Sequence, residues 1–107
     1  MLPNTPDGPR QRNVAVFADG EVDRSPCGSG TSARAALLAA DGGLPPRATL
    51  THDSIVGTTF RARVVETVRA EGRDAVVTEV EGSAFRTGEH RFVLDPRDPL
   101  GPGFVLR

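Results

Sequence analysis

Asp23-Arg24-Ser25-Pro26-Cys27-Gly28-Ser29-Gly30-Thr31-Ser32-Ala33-Arg34-Ala35-Ala36-Leu37-Leu38-Ala39-Ala40 runs from a loop into a helix. Its second half is dense in the strongest helix formers and predicts a helix from Thr31 to about Ala40. Ser29 or Thr31 is the expected N-cap. Gly42-Gly43 supplies the stop, and Pro45-Pro46 blocks continuation. Arg34 is the one charge within this helix. A helix apolar on nearly all sides is ordinarily wrapped by other elements.

The flanking segments read as β-structure. Thr58–Val68 sets Phe60, Ala62 and Val64 against Arg61 and Arg63, the alternation of a half-buried strand with a solvated basic face. Gly72-Arg73-Asp74 is a turn, and Asp74–Glu81 is the expected partner strand. Asn13–Ala18 is nearly all apolar and predicts a short, largely buried strand ending at the Asp19-Gly20 turn. Arg91–Leu94 and Phe104–Leu106 read as two further short strands. Residues 1–12 read as an irregular arm, broken by Pro3, Pro6, Gly8 and Pro9. One buried helix and a mostly antiparallel sheet make an α+β unit.

The 107 residues suffice for one domain. Hydrophobic residues at 37% place the chain among globular proteins rather than disordered tails. Thirteen basic against fourteen acidic residues leave a net charge of −1, with no basic field for nucleic acid or an anionic membrane. Every basic residue is Arg, so no lysine of this chain can form a Schiff base or attach PLP. One Cys excludes an internal disulfide and a Cys-rich zinc site. His52 and His90 stand 38 positions apart with no close ligand pattern, so no metal site is expected. The apolar runs fall far short of the roughly 20 residues a membrane span needs. Met1 to Arg12 is polar and proline-rich, unlike a signal peptide. A cytoplasmic, reducing location is the default expectation.

The chemistry converges on Cys27. Free N–H groups at a helix start, at the positive end of its dipole, favour a bound anion. The same field favours thiolate over thiol. A substrate carboxylate held there sets its own Cα near the sulfur, which suits proton abstraction from that carbon. Plainer readings stand beside this one. A lone Cys also serves as a small buried hydrophobe. Gly28-Ser29-Gly30 before a helix also suits a phosphate, although it lacks the P-loop ending and the dinucleotide spacing. It is not Gly-x-Ser-x-Gly, so Ser29 is not expected as a nucleophile. Asp23 by itself reads equally as a loop or capping residue.

This stretch closely resembles the second cysteine motif of the proline racemase family, Asp-Arg-Ser-Pro-Cys-Gly-Thr-Gly-Thr-Ser-Ala. The resemblance continues through Ala39-Ala40-Asp41-Gly42 and Ser54-Ile55-Val56-Gly57 with Phe60. It resumes at Gly82-Ser83-Ala84, Thr87-Gly88, Asp98-Pro99-Leu100 and Gly103-Phe104. It covers nearly everything from Asn13 onward. The family comprises proline racemases, 4-hydroxyproline 2-epimerases and trans-3-hydroxy-L-proline dehydratases. The implied fold is that of diaminopimelate epimerase: two pseudo-symmetric lobes, each a sheet wrapped around a central helix. Residues 13–107 then correspond to part of the C-terminal lobe.

The resemblance implies a mechanism without PLP or metal, in which two cysteines, one per lobe, flank the Cα of an imino acid such as proline or hydroxyproline. Cys27 matches one of these bases. Gly28, Ser29, Gly30 and Thr31 are then expected to offer backbone or hydroxyl donors to the carboxylate. Asp23 is expected at the ring nitrogen, and Phe17 on the apolar side of the ring pocket. Ser29 stands where Thr is common, a mild departure because both carry a hydroxyl. Cys27 argues against the dehydratase branch, where this position resembles Thr. No stretch matches the family's first cysteine motif. The 107 residues therefore read as a fragment that needs an N-terminal lobe, inactive alone, with a homodimer open and a non-catalytic carboxylate-binding remnant as the alternative.

Overall fold

The computed structural model describes residues 2–106. Met1 and Arg107, the outer ends of the arm and lobe delimited above, lie outside the described residues. Five elements follow in chain order: β1 (Arg10–Arg12), α1 (Gly28–Ala40), β2 (Leu50–Asp53), β3 (Thr59–Ala70) and β4 (Arg73–Glu81). The strands form one mixed sheet in the order β1-β2-β3-β4. β1 runs parallel to β2, while β2–β3 and β3–β4 are antiparallel.

The β3–β4 hairpin follows the alternation in the sequence. Ala62 is fully buried, Phe60 and Val64 are half-buried, and Arg61 and Arg63 face outward. The alternation breaks where the register shifts between Val64 and Glu66, a bulge that lets the long hairpin twist.

α1 packs across β3 and β4. Ala35, Leu44, Leu50 and Ala62 form the buried core, with Leu38, Ala48, Val64 and Val80 against it. The C-terminus ends as the glycines predict. Gly42 adopts φ 78°, the N–H of Gly42 donates to Ala39 and that of Gly43 to Leu38, which closes a Schellman turn.

Four expectations are corrected. α1 starts three residues earlier than the propensities indicate, and its N-cap is Cys27 rather than Ser29 or Thr31, with no side-chain cap. The helix is not enclosed among the described residues: only Thr31 and Ala35 are buried, and Leu37 is 57% exposed. Arg10–Arg12, within the arm expected to be irregular, pair with β2. Pro9 and the other prolines are compatible with this because β1 is an edge. Asn13–Ala18 is not a buried strand: it makes a single bridge, Val16 to Val22, and Phe17 is 57% exposed.

Arg91–Leu94 and Phe104–Leu106 also form no strands, because nothing among the described residues pairs with them. Residues 82–106 run as an exposed, extended tail. The radius of gyration, 18.8 Å, reflects this tail, since a compact chain of this size has about 13 Å.

Candidate active site

The loop before α1 is held by a chain of short-range hydrogen bonds. Asp23 accepts from the backbone N–H of Ser25 at 2.9 Å and from its hydroxyl at 3.1 Å. Ser25 Oγ in turn accepts the N–H of Cys27 at 3.0 Å. The Thr58 hydroxyl, just before β3, donates to the Arg24 carbonyl and ties the Ser54–Thr58 turn to the same loop. Ser54 fixes that turn by accepting the Thr58 N–H at 3.1 Å. Ser54-Ile55-Val56-Gly57, part of the family resemblance, braces this loop.

Cys27 itself adopts φ 67°, ψ 125°, a conformation that L-residues rarely take. Its thiol is partly accessible and lies 3.5 Å from the Ser29 hydroxyl. The Ser29 hydrogen bond, followed by the N–H of Gly30, holds the thiol below its ordinary pKa. Partial burial and the charge of Asp23 oppose this without cancelling it. Gly28, Ser29 and Gly30 are exposed, so the first helical turn is open to a ligand beside the sulfur. The arrangement is a polarised thiol beside an exposed helix start, with the Ser29 and Gly30 N–H groups turned to the sulfur, and such a thiol suits proton transfer at an adjacent carbon.

The other expected site residues are placed differently. Thr31 is fully buried. Its N–H donates to the Cys27 carbonyl at 2.9 Å, and its hydroxyl lies 2.9 Å from His52 Nδ1. The Thr31 N–H and hydroxyl are therefore both engaged inside the protein. Asp23 has both carboxylate oxygens occupied by Ser25, the loop-forming role that its residue type allows. Phe17 lies at the base of the loop between Val16 and Val22, with its N–H donating to the Glu21 carbonyl at 2.8 Å.

His52, for which no metal role is expected, is 3% exposed and contacts Thr31 in the first turns of the helix that Cys27 heads. Burial first, then the charge of Arg34, lowers its pKa, with Asp53 opposing. No sequence signal marks this contact, because its partner is 21 residues away. Among the described residues no cluster of three or more His, Cys, Asp or Glu can hold a metal ion. A groove of about 590 Å³ lies away from Cys27, between the C-terminal half of α1 and the β3–β4 hairpin.

Cys27, its thiol held below the ordinary pKa, thus heads a helix packed on a mixed sheet. The chain belongs to the proline racemase family, whose model matches residues 2–105. It is 46% identical over 96 residues to a proline racemase of Clostridioides difficile, covering 90% of this chain and 29% of that protein. It is 50% identical over 95 residues to a trans-3-hydroxy-L-proline dehydratase of Bacillus cereus, covering 89% and 28%. A crystal structure of a hydroxyproline epimerase from Agrobacterium vitis, with bound trans-4-hydroxy-L-proline, superposes with a TM-score of 0.76 at 40% identity, covering 97% of this chain and 30% of that one. The chain thus spans under a third of the length of the relatives it matches.

Proposed function

We propose that this chain carries one of the two thiol bases of a cofactor-independent racemase or epimerase acting at Cα of proline or 4-hydroxyproline. The observation that carries the reading is the Cys27 thiol, lowered in pKa by Ser29 and Gly30 and set beside an open helix start. The substrate carboxylate seats on the backbone N–H groups of Gly28, Ser29 and Gly30. Cys27, as thiolate, takes the Cα proton from one face. A second thiol, supplied by polypeptide beyond these 107 residues, returns a proton to the other face. Phe17 lines the apolar side of the imino-acid ring.

Asp23 acts here by bracing Ser25 and, with a rearranged side chain, by accepting from the ring nitrogen. The unit forms part of a diaminopimelate-epimerase-like lobe, in which further strands cover the open face of α1. A cytoplasmic setting suits an unpaired reactive thiol. Neither PLP nor a metal enters this mechanism.

The dehydratase reading keeps support from the 50% identity to the Bacillus cereus protein. Cys27 weighs against it, since a basic thiol is what reprotonation at Cα uses. A non-catalytic carboxylate-binding unit is the reading that fits the chain alone.

The test joins the N-terminal portion of a proline racemase to this chain in one polypeptide and follows the optical rotation of L-proline and trans-4-hydroxy-L-proline. Activity in the fusion that Cys27→Ser abolishes supports the proposal. Loss of water from trans-3-hydroxy-L-proline with no change in the other two substrates moves it to the dehydratase. Steady loss of rotation by the 107-residue chain alone, absent in Cys27→Ser, overturns the two-base division.

A further inference from the structure

The peptide unit joining Pro26 to Cys27 is pinned at both polar ends. Its N–H donates to Ser25 Oγ at 3.0 Å. Its carbonyl accepts from Asn13 Nδ2 at 2.7 Å and from the Thr31 hydroxyl at 3.4 Å. Pro26 is itself fully buried. A hydroxyl has one proton. With that proton directed at Pro26, the 2.9 Å contact between Thr31 Oγ1 and His52 requires His52 to donate from Nδ1. The relay therefore runs from β2 through α1 to the carbonyl immediately before the thiol.

This matters because Cys27 sits at φ 67°. A non-glycine residue persists there only where its surroundings over-determine it. We propose that His52 is a positioning residue for Cys27: from β2 it fixes, through Thr31, the peptide unit that aims the thiol at the open helix start. His52 does not touch a substrate and transfers no proton to one. The charged groups around it are Arg34 from α1 and Asp53 on its own strand, and its cross-strand partners Gln11 and Phe60 are neutral. Burial and the Arg34 charge favour the neutral imidazole. The inference rests on Cys27 being the base of the proposed function.

The experiment measures the pH dependence of iodoacetamide alkylation of Cys27 in the 107-residue chain, with helix content followed by circular dichroism. In His52→Leu the midpoint rises toward the ordinary thiol value of about 8.5, and the rate at pH 7 falls by about threefold or more. His52→Asn puts a polar atom where Nδ1 stands and restores the low midpoint. His52→Gln puts it where Nε2 stands and does not. Thr31→Val keeps the volume, removes the relay, and decides the matter if His52→Leu fails to fold. A midpoint unmoved in Thr31→Val and His52→Leu, or restored equally by Asn and Gln, overturns the positioning role and leaves Cys27 as base. An ordinary midpoint in the unaltered chain overturns both.

Discussion

Arg10 Nε lies 2.7 Å from the Asp53 carboxylate, which is 1% exposed. The pair joins β1 to β2 diagonally across the parallel ladder, in which Asp53 is in register with Arg12, and the Thr59 hydroxyl donates to the other carboxylate oxygen at 2.6 Å. Burial raises the Asp53 pKa, but the bonds from Thr59 and Arg10 outweigh it and hold the carboxyl below its usual range. A depressed folded pKa contributes stability above the unfolded value, about 3.9, and loses it as pH falls through the folded one. Asp53→Asn is therefore expected to be less stable at pH 6, and the gap to the unaltered chain closes as pH falls below about 4. Urea denaturation across this range checks it, and a gap independent of pH contradicts it. Arg10→Ala costs about 1–2 kcal/mol at pH 6, less than a fully buried partner, because the Arg10 side chain is 39% exposed.

The Ser29 hydroxyl is the first cause of the low Cys27 pKa. The unaltered chain is expected to alkylate with a midpoint below about 8.5, the reference thiol value. Ser29→Ala raises that midpoint, while Ser29→Thr keeps it because the hydroxyl is retained. Equal midpoints for all three chains reject the hydroxyl as the cause.

How much of this was legible follows from where each constraint lies. β3 and β4 were readable because Phe60, Ala62 and Val64 obey a period of two, and the end of α1 because Gly42 must turn left-handed. The start of α1 was not. Gly28, Ser29 and Gly30 have weak helix propensity, and the tertiary bond from Thr31 to His52 draws the helix forward. β1 and β2 were hidden because Arg10, His52 and Asp53 are polar residues satisfied by partners distant in sequence. Arg91–Leu94 carries an apolar pattern but lacks the strand that would pair with it. At the site, Cys27 and its small neighbours are visible as a motif, whereas the inward turn of Thr31 goes with a partner 21 residues away.

The positive φ of Cys27 predicts an inverted ranking of two small substitutions. Glycine adopts such a conformation freely, and alanine does not. Both remove the thiol, so their difference isolates the backbone. Cys27→Gly is expected to be more stable than Cys27→Ala by about 1 kcal/mol, although glycine ordinarily loses to alanine beside a helix. Paired urea titrations measure this. Alanine equal to or better than glycine means that the loop relaxes once the thiol is gone.

The exposed tail sets the behaviour of the isolated chain. Phe85, Phe92 and Leu106 are 88%, 89% and 88% exposed, and Val93 and Val105 are 79% and 81% exposed. Side chains of this kind each gain roughly 1.5–3 kcal/mol on full burial. A soluble monomer rarely leaves so many large apolar side chains in water. The core, by contrast, lies wholly between Ala35 and Ala62 with its half-buried neighbours, so the tail is not needed to build it. The 107-residue chain is therefore expected to self-associate at tens of micromolar, with β4, an edge strand with open backbone groups, as a ready template for pairing. Removing residues 82–107 lowers the association and leaves the helix signal unchanged. Sedimentation decides between the alternatives. A monomeric full chain shows that the tail finds cover on its own molecule, and unchanged association after truncation moves the contact to the open face of α1, where Leu37 is exposed.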